Sequence, residues 1–313
     1  MNIKNKKILL TGGNSFLGKS LVPLLNKKGA KTITFSSKEY DLTKENQVKK
    51  LFEKYNPNIV IHLAVDCGGF KYKKENKASM FYNNLMMDTL VQEYSRLKNA
   101  DKFIGVGSAA SYSEFVNSPI KETEIFCGLP EEFNISYGLT KRMMVIQSKN
   151  CREQYGFNSI NLIPVNLYGP NFSLKQKDVR IIPIFIKEFV EAKIKNKESI
   201  TLNGTPEAYR EFLYVGDCVE AIILATELYN KSNPVNLGSG KAIKIKDLAE
   251  KVKEATGFKG KIIWNENSNE NQPEKVLDVS MAEKEFRFKE KTSLEEGLKK
   301  TVEWYRKNYG KLK

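Results

Sequence analysis

Tyr137 and Lys141 stand four residues apart at the start of a predicted helix over about residues 137–155. Residues at this spacing share one helix face, and an ammonium beside a phenol favours the phenolate and so lowers the tyrosine pKa. Such a phenol can donate or accept a proton near neutral pH. Ser108 follows a predicted strand over about 102–107, and strand ends carry the sites of open α/β sheets. We therefore predict Ser108, Tyr137 and Lys141 as catalytic residues, with Ser108 hydrogen-bonded to a substrate carbonyl.

A glycine-rich turn lies between the first predicted strand, over about 6–12, and a predicted helix over 16–28. Its spacing is G-x-x-S-x-x-G, so Ser15 takes the place of a middle glycine and can cap the helix. A turn of this kind presents backbone N–H groups to a pyrophosphate at the helix N-terminus. The residues that we expect to bind a dinucleotide here are Gly12, Asn14, Ser15, Phe16, Leu17 and Gly18.

The end of the second predicted strand, over about 31–36, indicates which dinucleotide binds. An acidic residue there would hydrogen-bond a ribose 2′-hydroxyl and repel a 2′-phosphate. This chain instead has Ser36, Ser37 and Lys38, two hydroxyls and an ammonium that suit a phosphate. The sequence therefore favours NADP(H) over NAD(H).

The elements that position these residues are short apolar strands alternating with helices. Further strands are predicted over about 59–64 and 159–165, and further helices over about 44–55, 78–98 and 293–308. This alternation predicts an α/β fold of the Rossmann type, a doubly wound parallel sheet with helices on both faces. We expect a nucleotide-binding domain over 1–167 that also receives about 208–238. Residues 168–313 would mainly form a smaller C-terminal α/β substrate lobe.

Composition narrows the functional class. The 313 residues carry a net charge of +14, but the lysines are spread along the chain, which favours a solvated surface over a nucleic-acid site. The four cysteines form no CxxC pair and there is one histidine, His62, so we expect no metal site. No run of about 18 apolar residues occurs, so we expect no membrane span. The widely spaced cysteines make a disulfide framework unlikely, which fits a cytoplasmic protein. A positive field suits a small anionic substrate.

Several sequence blocks together resemble the extended short-chain dehydrogenase/reductases, and within them the GDP-L-fucose synthase family. They are the glycine loop, Ile61-His62-Leu63-Ala64, Asn83-Asn84-Leu85, Gly107-Ser108, Tyr137-x-x-x-Lys141, Asn166-Leu167-Tyr168-Gly169-Pro170 and Arg210-Glu211-Phe212-Leu213. The resemblance implies a soluble NADPH-dependent oxidoreductase that acts on a GDP-linked 4-keto sugar. It also implies that Leu63 and Ala64 contact the cofactor, that His62 is structural, and that the helices over about 79–98 and 137–155 pair in a homodimer. The residues that it places at the substrate are Asn166, Arg180, Lys187 and Arg210.

Two positions depart from that family's pattern. Members that epimerise C3 and C5 use a cysteine shortly after the catalytic serine and a histidine after the Tyr-Gly-Pro block. Here these positions hold Ala110 and Arg180. Alanine carries no proton, and arginine stays protonated and is a poor base. The departures predict a reductase without epimerase activity, similar to bacterial enzymes that make 6-deoxy-hexoses or heptoses for surface polysaccharides.

Alternatives remain open at this stage. Ser111, Tyr112 or Cys127 could replace the missing epimerase groups, which would give a bifunctional epimerase/reductase. An NAD-retaining 4-epimerase or dehydratase is a second alternative, although Ala109 and Ala110 replace the acidic residues usual in dehydratases. A non-catalytic Rossmann binding protein is the third.

Overall fold

The computed structural model describes residues 1–174, 180–265 and 275–312. Its centre is a parallel sheet of six strands, which confirms the predicted Rossmann-type class. In spatial order these are β2 (Lys31–Ile33), β1 (Lys7–Thr11), β3 (Ile59–His62), β4 (Lys102–Val106), β5 (Ser159–Pro164) and β9 (Val235–Leu237). The last strand therefore comes from the C-terminal half of the chain and pairs with β5.

Helices cover both faces of this sheet because successive side chains of a strand point to opposite sides. On one face, Ile8 and Leu10 pack with the apolar side of α1 (Phe16–Lys27) and α7 (Val215–Leu228). On the other face, Leu9 packs with α2 (Glu45–Tyr55), α4 (Lys77–Leu97) and α5 (Ile135–Tyr155). The central strands therefore carry apolar side chains on both faces, as a sheet buried on both sides requires.

Helix ends follow from local chemistry. Ser15 caps α1, since its hydroxyl accepts a hydrogen bond from the Gly18 amide at 3.1 Å. Gly29, just past that helix, has φ +82°, a conformation that glycine adopts at little cost. Asn56 and Gly156 end α2 and α5 in the same left-handed way. The sequence had predicted the cap at Ser15 and a helix that ends at about residue 28.

The remaining elements form the smaller lobe. A three-stranded sheet has the order β10 (Ala242–Lys244), β8 (Tyr209–Tyr214) and β6 (Asn166–Tyr168), and β7 (Ser199–Asn203) pairs with β11 (Lys261–Asn265). A separate hydrophobic cluster holds these strands against the lobe's helices. The helices of the smaller lobe are α6 (Ile181–Ile194), α8 (Ile245–Thr256) and α10 (Leu294–Leu312).

The structure also contains the short α-helices α3 (Phe70–Glu75), directly before α4, and α9 (Ser280–Phe286), which contacts α7. Among the described residues, no helix has both the length and the apolar character needed to cross a bilayer. The carboxyl ends of β1, β3 and β4 lie side by side, so the residues that follow these strands share one edge of the sheet. Thr11, His62 and Gly107–Ser108 are at this edge.

Candidate active site

The glycine turn packs directly against the backbone that follows β3. Gly12 has φ +69°, and a Cβ atom at this position would lie 2.9 Å from the Ala64 nitrogen. A Cβ atom on Gly18 would overlap the carbonyl oxygens of Gly12 and Gly13. Only glycine fits either position, so the turn is held close both to the start of α1 and to the residues at the end of β3.

This turn fits the pyrophosphate of a dinucleotide. The N-terminus of α1 carries backbone N–H groups that lack partners within the helix, and such groups bind phosphate well. The turn brings Gly12, Ser15 and Gly18 to that end of the helix, with Leu63 and Ala64 beside them. The predicted dinucleotide-binding residues of the turn are therefore adjacent in space.

A carboxylate that sequence reasoning missed lies at the end of β2. Ser36 donates two hydrogen bonds to Glu39 Oε2, from its amide at 2.8 Å and from its hydroxyl at 2.9 Å. These bonds hold the pKa of Glu39 below its ordinary value. Ser37 and Lys38 are exposed in the turn between them. The group facing a 2′-phosphate would thus include one carboxylate as well as the predicted hydroxyls and ammonium.

The predicted catalytic residues meet at the edge of the sheet. Ser108 follows β4, and its side chain lies close enough to the phenol of Tyr137, in the first turn of α5, to lower the pKa of that phenol. The Ser108 hydroxyl also accepts the Ala110 amide at 3.2 Å, which fixes its orientation. Tyr137 is 9% exposed and Lys141 is 2% exposed. The Lys141 ammonium lies 5.9 Å from the centre of the Tyr137 ring.

One electrostatic expectation was wrong. The sequence predicted that Lys141 lowers the pKa of Tyr137, but in the structure burial raises that pKa above its ordinary value. The Lys141 ammonium is instead bound by Asp88, whose two carboxylate oxygens lie 3.0 and 3.1 Å from Nζ. Asp88 comes from α4, 53 positions earlier in the chain, and no local pattern indicates the contact.

Sequence reasoning also missed a second lysine beside the tyrosine. Lys73 on α3 donates to Asn134 Oδ1 at 2.6 Å, and its ammonium lies 5.6 Å from the centre of the Tyr137 ring. The Cys67 thiol, in the loop after β3, is close enough to raise the pKa of Tyr137 further. The loop after β3, the short helix α3 and the start of α5 therefore form one wall of the site.

The predicted substrate residues lie on the smaller lobe. Asn166 and Arg210 are on the neighbouring strands β6 and β8, and Asn166 Nδ2 donates to the Glu211 carbonyl at 3.0 Å. Arg180 precedes α6, and its guanidinium carbon lies 5.8 Å from the centre of the Phe16 ring. Arg180 also lowers the pKa of Tyr137, which places its charge near the phenol.

The four predicted substrate residues do not form one cluster of direct contacts. Lys187 is half-buried on α6, seven positions after Arg180 and so on the same side of the helix. Arg210 bonds its own strand, donating to the Tyr209 carbonyl. Of the four, Arg180 is the residue whose charge lowers the pKa of Tyr137.

Ser111, Tyr112 and Cys127 were the possible replacements for the missing epimerase groups, and the structure shows what surrounds each of them. The Tyr112 hydroxyl is buried and donates to Asn236 Oδ1 at 2.7 Å, and burial raises the pKa of that phenol. Ser111 is buried, and its carbonyl accepts a bond from Arg142. Cys127 is exposed. Ala110 itself is packed beside α5, since a Cβ atom on Gly138 would lie 2.7 Å from its carbonyl oxygen.

Comparison with known proteins gives consistent matches over almost the whole chain. Residues 8–238 match the model of the NAD dependent epimerase/dehydratase family. A probable GDP-L-fucose synthase 1 of Oryza sativa subsp. japonica is 32% identical over 307 residues, 97% of this chain and 93% of the rice protein.

Two solved structures from Campylobacter jejuni are also similar. A GDP-6-OMe-4-keto-L-xylo-heptose reductase has a TM-score of 0.89 at 27% identity, covering 97% of this chain and 98% of that one. A GDP-mannoheptose C4 reductase with NADP bound has a TM-score of 0.86 at 29% identity, covering 96% and 98%.

Proposed function

Because the chain is an enzyme that belongs to the NAD-dependent epimerase/dehydratase family, we propose that it uses NADPH to reduce the C4 ketone of a GDP-4-keto-6-deoxy sugar. The sugar is a hexose or a heptose, and the product serves bacterial surface polysaccharide synthesis. The observation that carries this proposal is that Ser108, the buried Tyr137 phenol and the Lys141 ammonium meet at the carboxyl edge of the parallel sheet. A phenol held beside a substrate carbonyl can protonate the alkoxide as it forms. The GDP-sugar synthases and reductases among its relatives support the substrate class.

The first lobe would hold the cofactor. The glycine turn over 12–18 receives the pyrophosphate, Ser36 and Lys38 receive the 2′-phosphate, and Lys141 hydrogen-bonds the nicotinamide ribose. NADPH, when bound, supplies the hydride. A bound cofactor of this kind in the similar heptose reductase supports the assignment.

The proton step belongs to the chain's own side chains. Tyr137 donates its proton to the C4 oxygen, and Ser108 hydrogen-bonds the same oxygen and orients the carbonyl. A donor aimed at developing negative charge can stabilise the transition state by about 3 kcal/mol. Asn166, Arg180, Lys187 and Arg210 would receive the GDP diphosphate and sugar, since arginine binds phosphate oxygens in pairs.

Reductase activity is tested by following NADPH absorbance with GDP-4-keto-6-deoxymannose and other 4-keto sugar nucleotides. We expect Tyr137→Phe to reduce turnover about 100-fold or more with little loss of binding, because the general acid is removed. Tyr155→Phe is the matched control, since Tyr155 is exposed at the far end of the same helix. Retained activity in Tyr137→Phe would refute the assignment. Comparing NADPH with NADH at equal concentration tests the cofactor preference, and a clear NADH preference would count against it.

The absence of epimerase activity is tested separately, by incubating the 4-keto sugar nucleotide in deuterated water without cofactor. Ala110 has no proton to transfer and Arg180 is a poor base, so no deuterium should enter C3 or C5 at a catalytic rate. Rapid incorporation would instead indicate a bifunctional epimerase/reductase. This measurement does not depend on the reductase assay.

We also propose that the protein is a homodimer paired through α4 and α5. These helices expose apolar side chains on one surface, including Tyr82, Met143 and Ile146. A contiguous exposed apolar surface on paired helices is typical of a protein interface. Ile146→Glu should shift the mass in light scattering from dimer to monomer, whereas Phe115→Glu, at an exposed position on another surface, should not. A monomeric wild type would refute the pairing.

A further inference from the structure

Two phenylalanines form an aromatic pair beside the catalytic tyrosine. Phe70 is the first residue of α3 and Phe133 lies just ahead of α5, and the centres of their rings are 5.6 Å apart. The Lys73 ammonium lies 5.6 Å from the centre of the Phe133 ring and 5.6 Å from the centre of the Tyr137 ring. The Phe70–Phe133 pair therefore borders the space next to the Tyr137 ring.

Phe70 contributes little to the folded core. It is 63% exposed, and none of the six residues of α3 is buried. Single exposed apolar side chains are common on protein surfaces, but Phe70 is paired with a second ring at the edge of a catalytic site. Covering such a ring with an apolar group removes it from water and is favourable. The pair is therefore suited to contact an apolar part of a ligand.

Hydrogen bonds hold both sides of the pair in place. The Tyr72 hydroxyl donates to the Asp66 carboxylate, which ties α3 to the loop after β3. Lys73 donates to Asn134 Oδ1 at 2.6 Å, and Asn134 Nδ2 donates to Glu131 Oε2 at 2.8 Å. These bonds connect α3 to the short turn that carries the second ring. The two rings are therefore fixed before a ligand binds, which lowers the entropy cost of binding.

The proposed function sets the direction in which the sugar enters this space. Its diphosphate, joined to C1, would lie with Asn166 and Arg210 on the smaller lobe, and its C4 ketone with Ser108 and Tyr137. C1 and C4 are opposite corners of a six-membered sugar ring, so C3 and C5 are the ring carbons next to the reacting C4. C3 carries a hydroxyl, which the Lys73 ammonium can hydrogen-bond. C5 carries the C6 end of the sugar.

We propose that the Phe70–Phe133 pair contacts the C6 end of the sugar and makes the protein prefer a 6-deoxy sugar over the same sugar with a C6 hydroxyl. This inference rests on the proposed function and deepens it, because it identifies the part of the sugar that the site selects. An apolar C6 carbon only displaces water from the rings. A C6 hydroxyl would lose hydrogen bonds to water, and phenylalanine side chains have no polar atom to replace them.

The test compares GDP-6-deoxymannose with GDP-mannose, which differ by one hydroxyl at C6. Binding of each to the free protein is measured by titration calorimetry, so no turnover is required. We expect the wild type to bind GDP-6-deoxymannose about tenfold more tightly, within the roughly 100-fold limit for rejecting an added hydroxyl in an apolar pocket. Phe70→Ser should weaken the binding of GDP-6-deoxymannose and bring the two dissociation constants together. Phe70→Leu keeps an apolar side chain and should retain most of the preference.

Leu228→Ser is the matched control, since it also replaces an exposed apolar residue with serine but at the opposite edge of the parallel sheet. Leu228 ends α7, and Lys102, at the start of β4, binds the carbonyl oxygens of Ala225 and Thr226 beside it. This variant should leave the preference unchanged.

Three results would overturn the proposal. The first is a wild type that binds both sugars equally, and the second is a preference that persists in Phe70→Ser. The third is an equal loss of affinity for both sugars in Phe70→Ser, which would show that Phe70 only supports α3 and Lys73. A wild type that binds neither sugar would refute the GDP-sugar function and this inference with it. Equal binding by a protein that reduces the keto sugar would refute this inference alone.

Discussion

The Lys73 ammonium lies 5.6 Å from the centre of the Tyr137 ring, held there by a 2.6 Å hydrogen bond to Asn134 Oδ1. Asn134 is uncharged, so this bond does not neutralise the lysine. An ammonium has three N–H groups and can donate to a substrate oxygen as well. We therefore expect Lys73 to contact the sugar or its diphosphate beside the reacting carbonyl.

Lys73→Met should raise KM for the keto sugar and lower kcat/KM about tenfold or more, the effect of losing a hydrogen bond to a charged group. Steady-state kinetics at saturating NADPH measure this. Lys74→Met is the control, because Lys74 is the next residue on α3 but is exposed. Equal kinetics of the two variants would show that Lys73 only secures α3.

Glu39 should weaken NADPH binding in this protein. Its carboxylate takes both hydrogen bonds that Ser36 donates and adds a negative charge where a 2′-phosphate would bind. Glu39→Gln should lower KM for NADPH by up to about fivefold, the scale of an exposed charge interaction, and leave KM for NADH nearly unchanged. Glu53→Gln, at an exposed glutamate on α2, controls for net charge. An equal change with both cofactors would place Glu39 away from the 2′-phosphate.

Gly12→Ala should abolish NADPH binding in a fluorescence titration. The new Cβ atom would press on the backbone of Leu63 and Ala64, which cannot move without disturbing the end of β3. Gly156→Ala is a sharp control, because Gly156 has nearly the same φ, +68°, but open space around it. That variant should cost about 1–2 kcal/mol of stability from backbone strain alone and retain binding. NADPH binding by Gly12→Ala would show that the turn can adjust.

Stability should depend on pH through Lys102, a fully buried residue of β4. Burial lowers its pKa to about 7 from 10.5. Between these values the unfolded chain binds the extra proton, so the free energy of unfolding rises with pH, and this contribution is lost as pH falls toward 7. Denaturant unfolding at several pH values should show this rise in the wild type and its loss in Lys102→Met.

Lys102→Met should also be less stable by about 1–3 kcal/mol, since buried acceptors lose their donor. Lys102 Nζ binds four oxygen atoms at the end of α7, those of Ala225, Thr226, Tyr229 and Asn230. Lys31→Met, at an exposed strand position, is the control for losing one charge. Parallel pH profiles of the wild type and Lys102→Met would contradict the assignment.

The sequence was informative where the signal is local. Strand and helix patterns predicted the parallel sheet, and Ser15, Gly12 and Tyr137 could be placed because each belongs to a short motif at an element boundary. Predicted ends differed by a few residues; for example, the strand predicted over about 31–36 ends at Ile33.

What the sequence missed are contacts between distant elements. Asp88 contacts Lys141 from another helix, and Lys73 lies near Tyr137 from a separate element. Because the residues of each pair are far apart in the chain, no short sequence pattern predicts either contact. The pKa of Tyr137 was mispredicted for the same reason, since only Lys141 is its neighbour along the helix. Burial and Asp88, which reverse the direction of the shift, require the tertiary structure.

The strand Val235–Leu237 has a consequence for how the two lobes can move. The chain passes between the parallel sheet and the smaller lobe's sheet after Pro164, after Tyr214 and again after Leu237. A protein joined by a single linker can swing open widely, but here several crossing segments must bend together. We therefore expect any opening that admits substrate or releases product to be a shallow rocking motion. A fragment that stops short of residue 235 would also leave one side of β5 without its partner and prone to aggregate.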